Sequence, residues 1–237
     1  DLTDFRFLGR GAVRGAGVAR VVIQRGPGVV EGYGTGVLVT SRLLMTNNHV
    51  LADAGVAQHS TAEFGYELDD AGVLAVPEVV RLEPATFFFT DAALDVTVVA
   101  VAAATASGRA VAGFGWSPLV GVEGKVIIGE WLNIIQHPSG DPKAVALREN
   151  RLVDVLEDFL HYETDTAPGS SGSPVYNDQW ELVALHHSGV PDRDAEGRIL
   201  TVQGEPWTPA LGDAAVRWKA NEGVRVSRIV QRLRALQ

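Results

Sequence analysis

The strongest constraint on this chain is its punctuation: short β-branched and aliphatic runs recur between clusters of turn residues. The runs are 18–24, 36–40, 79–82, 96–101, 126–128, 132–136, 145–147 and 181–186. Gly26-Pro27-Gly28, the 113–118 stretch, Pro138-Ser139-Gly140 and Pro168-Gly169 separate many of them. Runs this short suit strands and not helices, and many of them with such spacing predict an all-β sandwich or barrel. One segment departs from the pattern. Val226, Ile229, Val230, Leu233 and Leu236 recur at spacings of three and four, with Arg225, Arg228, Arg232 and Arg234 largely off that stripe, which predicts a closing helix over about 225–236. The 114–124 stretch has turn residues and little periodicity. It reads as a linker between two halves, 1–116 and 117–237.

Composition narrows the classes. At 237 residues and 46% hydrophobic, the chain is long enough for a well-buried core. Its longest clean apolar run, 98–104, is far short of the roughly 20 residues a spanning helix needs, so a soluble protein with no membrane span is expected. No basic segment followed by an apolar one opens the chain, and it does not begin with Met; a removed leader and a domain of a longer protein both remain open. There is no cysteine, which excludes disulfides and thiolate catalysis and leaves the compartment unread. The net charge of −9 argues against nucleic acid as a partner. The charge is uneven: residues 26–213 carry 26 acidic residues against 9 basic ones, either a solvated surface or a field favouring cationic partners.

Three local contexts carry chemistry. They are His49 in Thr46-Asn47-Asn48-His49-Val50-Leu51, Asp95 at the mouth of the apolar run Val96-Thr97-Val98-Val99, and Ser171 in Gly169-Ser170-Ser171-Gly172-Ser173-Pro174. Each alone is weak. A lone histidine is more often structural, an Asp before a strand is usually a turn residue, and a Gly/Ser run is by composition a flexible loop. Together they are what acyl transfer needs. A serine hydroxyl is a poor nucleophile near neutral pH unless an imidazole takes its proton, and a carboxylate fixes the imidazole tautomer and stabilises the imidazolium that forms. Glycine at 169 lets two backbone N–H groups converge on one oxyanion. The order His, Asp, Ser, with Ser173 where G-x-S-x-G would place its last glycine, disfavours an α/β-hydrolase.

The order and contexts resemble a chymotrypsin-like serine protease, specifically the bacterial glutamyl-endopeptidase (V8-like) branch of the trypsin-like peptidases. The 46–51, 94–99 and 169–174 segments match its histidine, aspartate and serine motifs, and the 33–39 segment resembles the strand leading to the histidine. The resemblance runs from about residue 18 to the closing helix. It implies an all-β fold of two packed six-stranded antiparallel β-barrels with a C-terminal α-helix, His49 and Asp95 from the first barrel and Ser171 from the second. It further implies an oxyanion hole from the N–H groups of Gly169 and Ser171. Residues around Ser188, Gly189 and Val190 would pair with the substrate backbone as an added strand, and the substrate would be a peptide or protein. In digestive relatives a freed N-terminal amine pairs with an acid directly before the nucleophile; here that residue is Ser170, which cannot form an ion pair. A binding module on the same fold that grips peptides without cutting them is the alternative in another class, and the presence of all three residues weighs against it.

Specificity is left open between two readings. Asp165 lies where trypsin-like enzymes bind a Lys or Arg side chain at P1. Thr166 and His186 resemble the pair with which glutamyl endopeptidases bind a P1 carboxylate, and both are good donors to one. Acidic P1 is the favoured reading, although the acidic middle of the chain would steer anionic peptides away. His186 and His187 are strand neighbours and cannot both line one pocket. No third ligand falls at a metal-site spacing beside them, so neither metal nor cofactor is expected. His137 reads as a turn residue before a hairpin, and His59 and His161 carry no signal.

Overall fold

The computed structural model describes residues 2–147, 150–163 and 170–236. Two antiparallel seven-stranded sheets follow each other along the chain. The first comprises β1 (Val18–Gly26), β2 (Val29–Leu38), β3 (Leu43–Thr46), β4 (Thr61–Phe64), β5 (Glu78–Arg81), β6 (Phe88–Asp91) and β7 (Val96–Ala100), in the order β5-β4-β1-β2-β3-β7-β6. The second comprises β8 (Asn133–Gln136), β9 (Ala144–Ala146), β10 (Leu152–Val155), β11 (Phe159–Tyr162), β12 (Pro174–Tyr176), β13 (Leu182–Pro191) and β14 (Trp218–Arg225), in the order β10-β11-β14-β13-β12-β8-β9. Single bridges bring the sheet ends round toward closure, Leu82 to Val101 in the first and Trp131 to Arg151 in the second. The all-β, two-unit architecture expected from the sequence is thus present, with seven strands per sheet where six were expected. The run 126–128 is not a strand: Ile127 and Ile128 are exposed, and the Ile127 N–H is taken by the Glu130 carboxylate at 2.9 Å.

Three apolar clusters hold the molecule. One fills the first sheet (Ala19, Val21, Leu38, Leu44, Phe64, Val99) and one the second (Leu132, Ile134, Leu152, Leu160, Tyr162, Val175). The third lies between them: Val18, Val37, Met45 and Val96 from the first sheet meet Ile135, Tyr176, Leu185 and Val224 from the second. Helix α3 (Val226–Arg234) seats Val226, Ile229 and Val230 in this shared cluster, as the periodicity predicts. An interface that is itself an apolar core keeps the facing loops of the two sheets in fixed register.

Two helices were not legible in the sequence. Helix α2 (Ala54–His59) is short and starts where the Asp53 carboxylate accepts the Val56 N–H at 2.9 Å. Helix α1 (Arg6–Ala16) contains Gly9, Gly11 and Gly15, which argue against a helix on propensity. Packing overrides propensity here. A Cβ at Gly11 would come within 2.5 Å of the Trp180 ring, Phe7 meets the same ring with centroids 5.0 Å apart, and Arg14 donates to the carbonyls of Trp180 and Trp116 at 3.0 and 2.9 Å. No helix among the described residues is long and apolar enough to cross a membrane.

Candidate active site

His49 lies on the turn that follows β3. That turn is pinned from beneath by Asn47, whose side-chain amide donates to the Asp95 carbonyl at 2.8 Å. Asp95 immediately precedes β7, every residue of which is buried. Its φ of 52° lies in the left-handed region that non-glycine residues seldom adopt. That conformation turns the carboxylate back toward His49: Oδ1 accepts the His49 backbone N–H at 2.9 Å and Oδ2 accepts Nδ1–H at 2.7 Å. Burial would raise the Asp95 pKa, but hydrogen bonds from His187 and His49 outweigh it and hold the carboxyl well below its usual range. A carboxylate on Nδ1 leaves Nε2 as the nitrogen free to take a proton.

Ser171 opens a tight turn before β12. Of the three serines, Ser170 and Ser173 are buried and Ser171 is partly exposed. The turn is tied to its own sheet by Gly172 N–H to the His186 carbonyl (2.9 Å) and Ser173 N–H to the Ser170 carbonyl (3.0 Å). It is tied to the first sheet by Thr35 N–H to the Ser171 carbonyl at 2.8 Å. Both that carbonyl and the side chain of Val50, next to His49, lie against Gly34, so the serine turn and the histidine turn meet across one glycine. Gly169, Asp165 and Thr166 lie outside the described residues.

His186 and His187 diverge, as strand neighbours must, with a bulge in the β13–β14 register between His186 and Ser188. His186 is buried with Nδ1 2.8 Å from the Tyr162 hydroxyl. Burial, reinforced by His187 and His49, pushes its pKa down to about 3, so the ring is neutral. His187 turns to the other side, toward Asp95. Beyond His186, β13 pairs with β14 alone: β12 ends its pairing at Leu185, and among the described residues Ser188, Gly189 and Val190 have a ladder partner on one edge only. Trp218 packs its ring on the face of Gly189, where a Cβ would meet it at 2.6 Å.

Sequence reasoning missed His187, His161 and Glu222 as neighbours of this site. His187 Nδ1 is 3.3 Å from Asp95 Oδ2 and its Nε2 is 2.8 Å from Glu222 Oε1, while His161 Nε2 is 2.6 Å from Glu222 Oε2. Residues so far apart along the chain carry no spacing signal; the pairing of β11 and β13 with β14 brings them together.

Two antiparallel β-sheets thus meet across an apolar interface, with a histidine–carboxylate pair on one side and a serine turn on the other. Residues 34–185 match the trypsin-like peptidase domain family, and the chain belongs to that family. The chain is 40% identical over 247 residues to the uncharacterized protein y4fB of Sinorhizobium fredii; this match covers 97% of the chain but 37% of that protein. A 67-residue stretch is 27% identical to a glutamyl endopeptidase of Staphylococcus aureus, covering 28% of the chain and 19% of that protein. Among solved structures, the inactive form of the Rv3671c Ser343Ala mutant of M. tuberculosis H37Rv superposes with a TM-score of 0.61 at 13% identity, covering 99% of this chain and 94% of that one. The HtrA-type protease AlgW with a tripeptide superposes at 0.62 and 13% identity, covering 97% and 63%.

Proposed function

We propose that this chain is a serine endopeptidase working through an acyl-enzyme. The observation that carries this reading is the His49–Asp95 pair, bonded at 2.7 Å, on a turn that meets the Ser171 turn across Gly34. Ser171 Oγ attacks the scissile carbonyl while His49 Nε2 takes its proton. Asp95 holds the Nδ1 proton and stabilises the imidazolium. The tetrahedral oxyanion is met by the Ser171 N–H, which donates to no acceptor among the described residues, together with the N–H of Gly169. His49 then protonates the leaving amine, and water, activated by the same ring, releases the acyl group. The substrate backbone joins the open edge at Ser188, Gly189 and Val190 as an added strand. Labelling by a fluorophosphonate probe, mapped to Ser171 by mass spectrometry and lost in Ser171→Ala, tests the reading; an unlabelled protein means a peptide-binding module without a competent nucleophile.

The specificity we infer is for a P1 side chain that accepts hydrogen bonds, glutamate first. In this reading the Tyr162 hydroxyl, 2.8 Å from Nδ1 of a neutral His186, is taken as the donor of that bond, so that Nε2 carries the proton and donates to the substrate, with Thr166 as second donor. The partial likeness to a glutamyl endopeptidase supports this V8-like assignment. The basic-P1 alternative rests on Asp165, which, like Thr166, lies outside the described residues.

A further inference from the structure

Five ionisable side chains form one hydrogen-bonded series, His49–Asp95–His187–Glu222–His161, with Asp95 and His49 from the first sheet and the other three from the second. The central member is constrained by donor and acceptor chemistry alone. Ionised carboxylates only accept hydrogen bonds, so an imidazole bonded to one at each nitrogen carries a proton on both and is a cation. We propose that His187 is a positioning residue for the triad: bridged between Asp95 and Glu222, it holds the Asp95 carboxylate in place and offsets its charge, and so sets where the acid limb of the activity profile falls. This rests on the serine-peptidase reading above.

The surroundings fit a lasting cation. The groups facing His187 are Asp95 ahead of β7, with His49 bonded to it from the turn after β3, Glu222 on β14 and Phe159 on β11. The Phe159 ring stacks on His187 at 5.3 Å and 21°. His161 reaches His187 only through Glu222, and the neighbouring His186 is neutral and turned toward Tyr162. Burial would lower the His187 pKa, but its bonds to Asp95 and Glu222 outweigh that and raise it to about 9. Glu222 is in turn held below its ordinary value by its bonds to His187 and His161. A cation on the far side of Asp95 weakens that carboxylate's hold on a second positive charge at His49.

The test is the pH dependence of fluorophosphonate labelling at Ser171, which needs no knowledge of the substrate. His187→Gln and His187→Ser both remove the cation while differing in size. Each should move the acid limb of the profile upward by roughly half to one pH unit, lowering the rate at pH 5.5 about 3- to 10-fold. A packing defect would instead scale with side-chain size and leave the limb where it was. Imidazole NMR of the unmodified protein gives a readout independent of activity and of variant folding: the His187 ring should remain doubly protonated at pH 7.5. A neutral His187 at that pH, or limbs that coincide with the unmodified protein in both variants, overturns the proposal. Absence of Ser171-dependent labelling in the unmodified protein sinks the peptidase reading, and the proposal with it; Ser171-dependent labelling with an unmoved limb sinks the proposal alone.

Discussion

The carbonyl of Ser171, in the second sheet, accepts the backbone N–H of Thr35, in the first, at 2.8 Å. This bond ties the two halves at the point where their chemistry meets. It forms because the next residue is Gly172, with φ of 85° and no side chain: a Cβ there would lie 2.0 Å from the Thr35 carbonyl oxygen and 2.3 Å from Thr46 Oγ1. Gly172→Ala therefore meets strain and a backbone clash at once. The left-handed conformation alone costs a non-glycine residue about 1–2 kcal/mol, and neither neighbour is the free end of a flexible chain. The expected outcome is a lower melting temperature together with loss of fluorophosphonate labelling. Wild-type stability and labelling in that variant would show that the turn tolerates another geometry.

Asp95→Asn separates orientation from stability. The amide keeps the size of the carboxylate but removes an acceptor from His49 Nδ1–H, so the wrong tautomer is favoured. Turnover should fall by about 10⁴, as for loss of a triad carboxylate elsewhere. Ser171→Ala should cost about 10⁴–10⁶ with the fold retained. Steady-state kinetics on a peptide library reads both. Substantial turnover in Ser171→Ala, with Ser173→Ala inactive, would move the nucleophile to the wrong side of Gly172.

Seven of the fourteen strands (β1, β2, β5, β7, β8, β9 and β13) and the closing helix were legible because each is set locally: β-branched runs between Gly and Pro clusters, and an apolar stripe at helical spacing; β3, β4, β6, β10, β11, β12 and β14 fall outside those runs. The three motif residues were legible for the same reason, since each sits in a short distinctive context. What the sequence did not show is held by contacts between distant segments. Helix α1 forms against its own glycine content because Trp180 takes the space at Gly11. The His187–Glu222–His161 series exists only once β11, β13 and β14 are paired. Strand periodicity does say that His186 and His187 face opposite ways; it cannot say that one meets the buried Tyr162 and the other the Asp95 carboxylate.

P1 choice tests the role of His186. If its Nε2–H meets a P1 carboxylate, Glu substrates should be cut better than Leu, Lys or Arg substrates. His186→Ala should lose Glu cleavage selectively, by roughly 10- to 150-fold in kcat/KM, the equivalent of about 1.5–3 kcal/mol for a hydrogen bond to a charged group. Because that change also opens a buried cavity, Tyr162→Phe is the milder probe: it removes only the hydroxyl bonded to His186 Nδ1, and should lower the Glu preference without lowering overall turnover on other substrates. Efficient cleavage after Arg by the unmodified protein would make the basic-P1 reading correct.

Stability against pH follows from three histidines with opposite signs. Burial pushes His137 down to about 4 and His186 to about 3, against about 6.5 in the unfolded chain. Between those values the unfolded state binds more protons, so stability is full above about pH 6.5 and is lost as pH falls toward 4 and then 3. From pH 6.5 to 5 the loss approaches about 2 kcal/mol per histidine. His187, raised to about 9, acts the other way: its contribution is full below about pH 6.5 and fades as pH rises through 9. Asp95 and Glu222, both held low, add to the acid loss once pH drops through the ordinary carboxylate range. Urea unfolding free energies measured from pH 4.5 to 9.5 should therefore peak near pH 6.5 and fall on both sides. The acid side should be shallower in His137→Gln and the alkaline side shallower in His187→Gln. A flat profile between pH 6.5 and 5 would mean that the two buried rings take up protons without opening the structure.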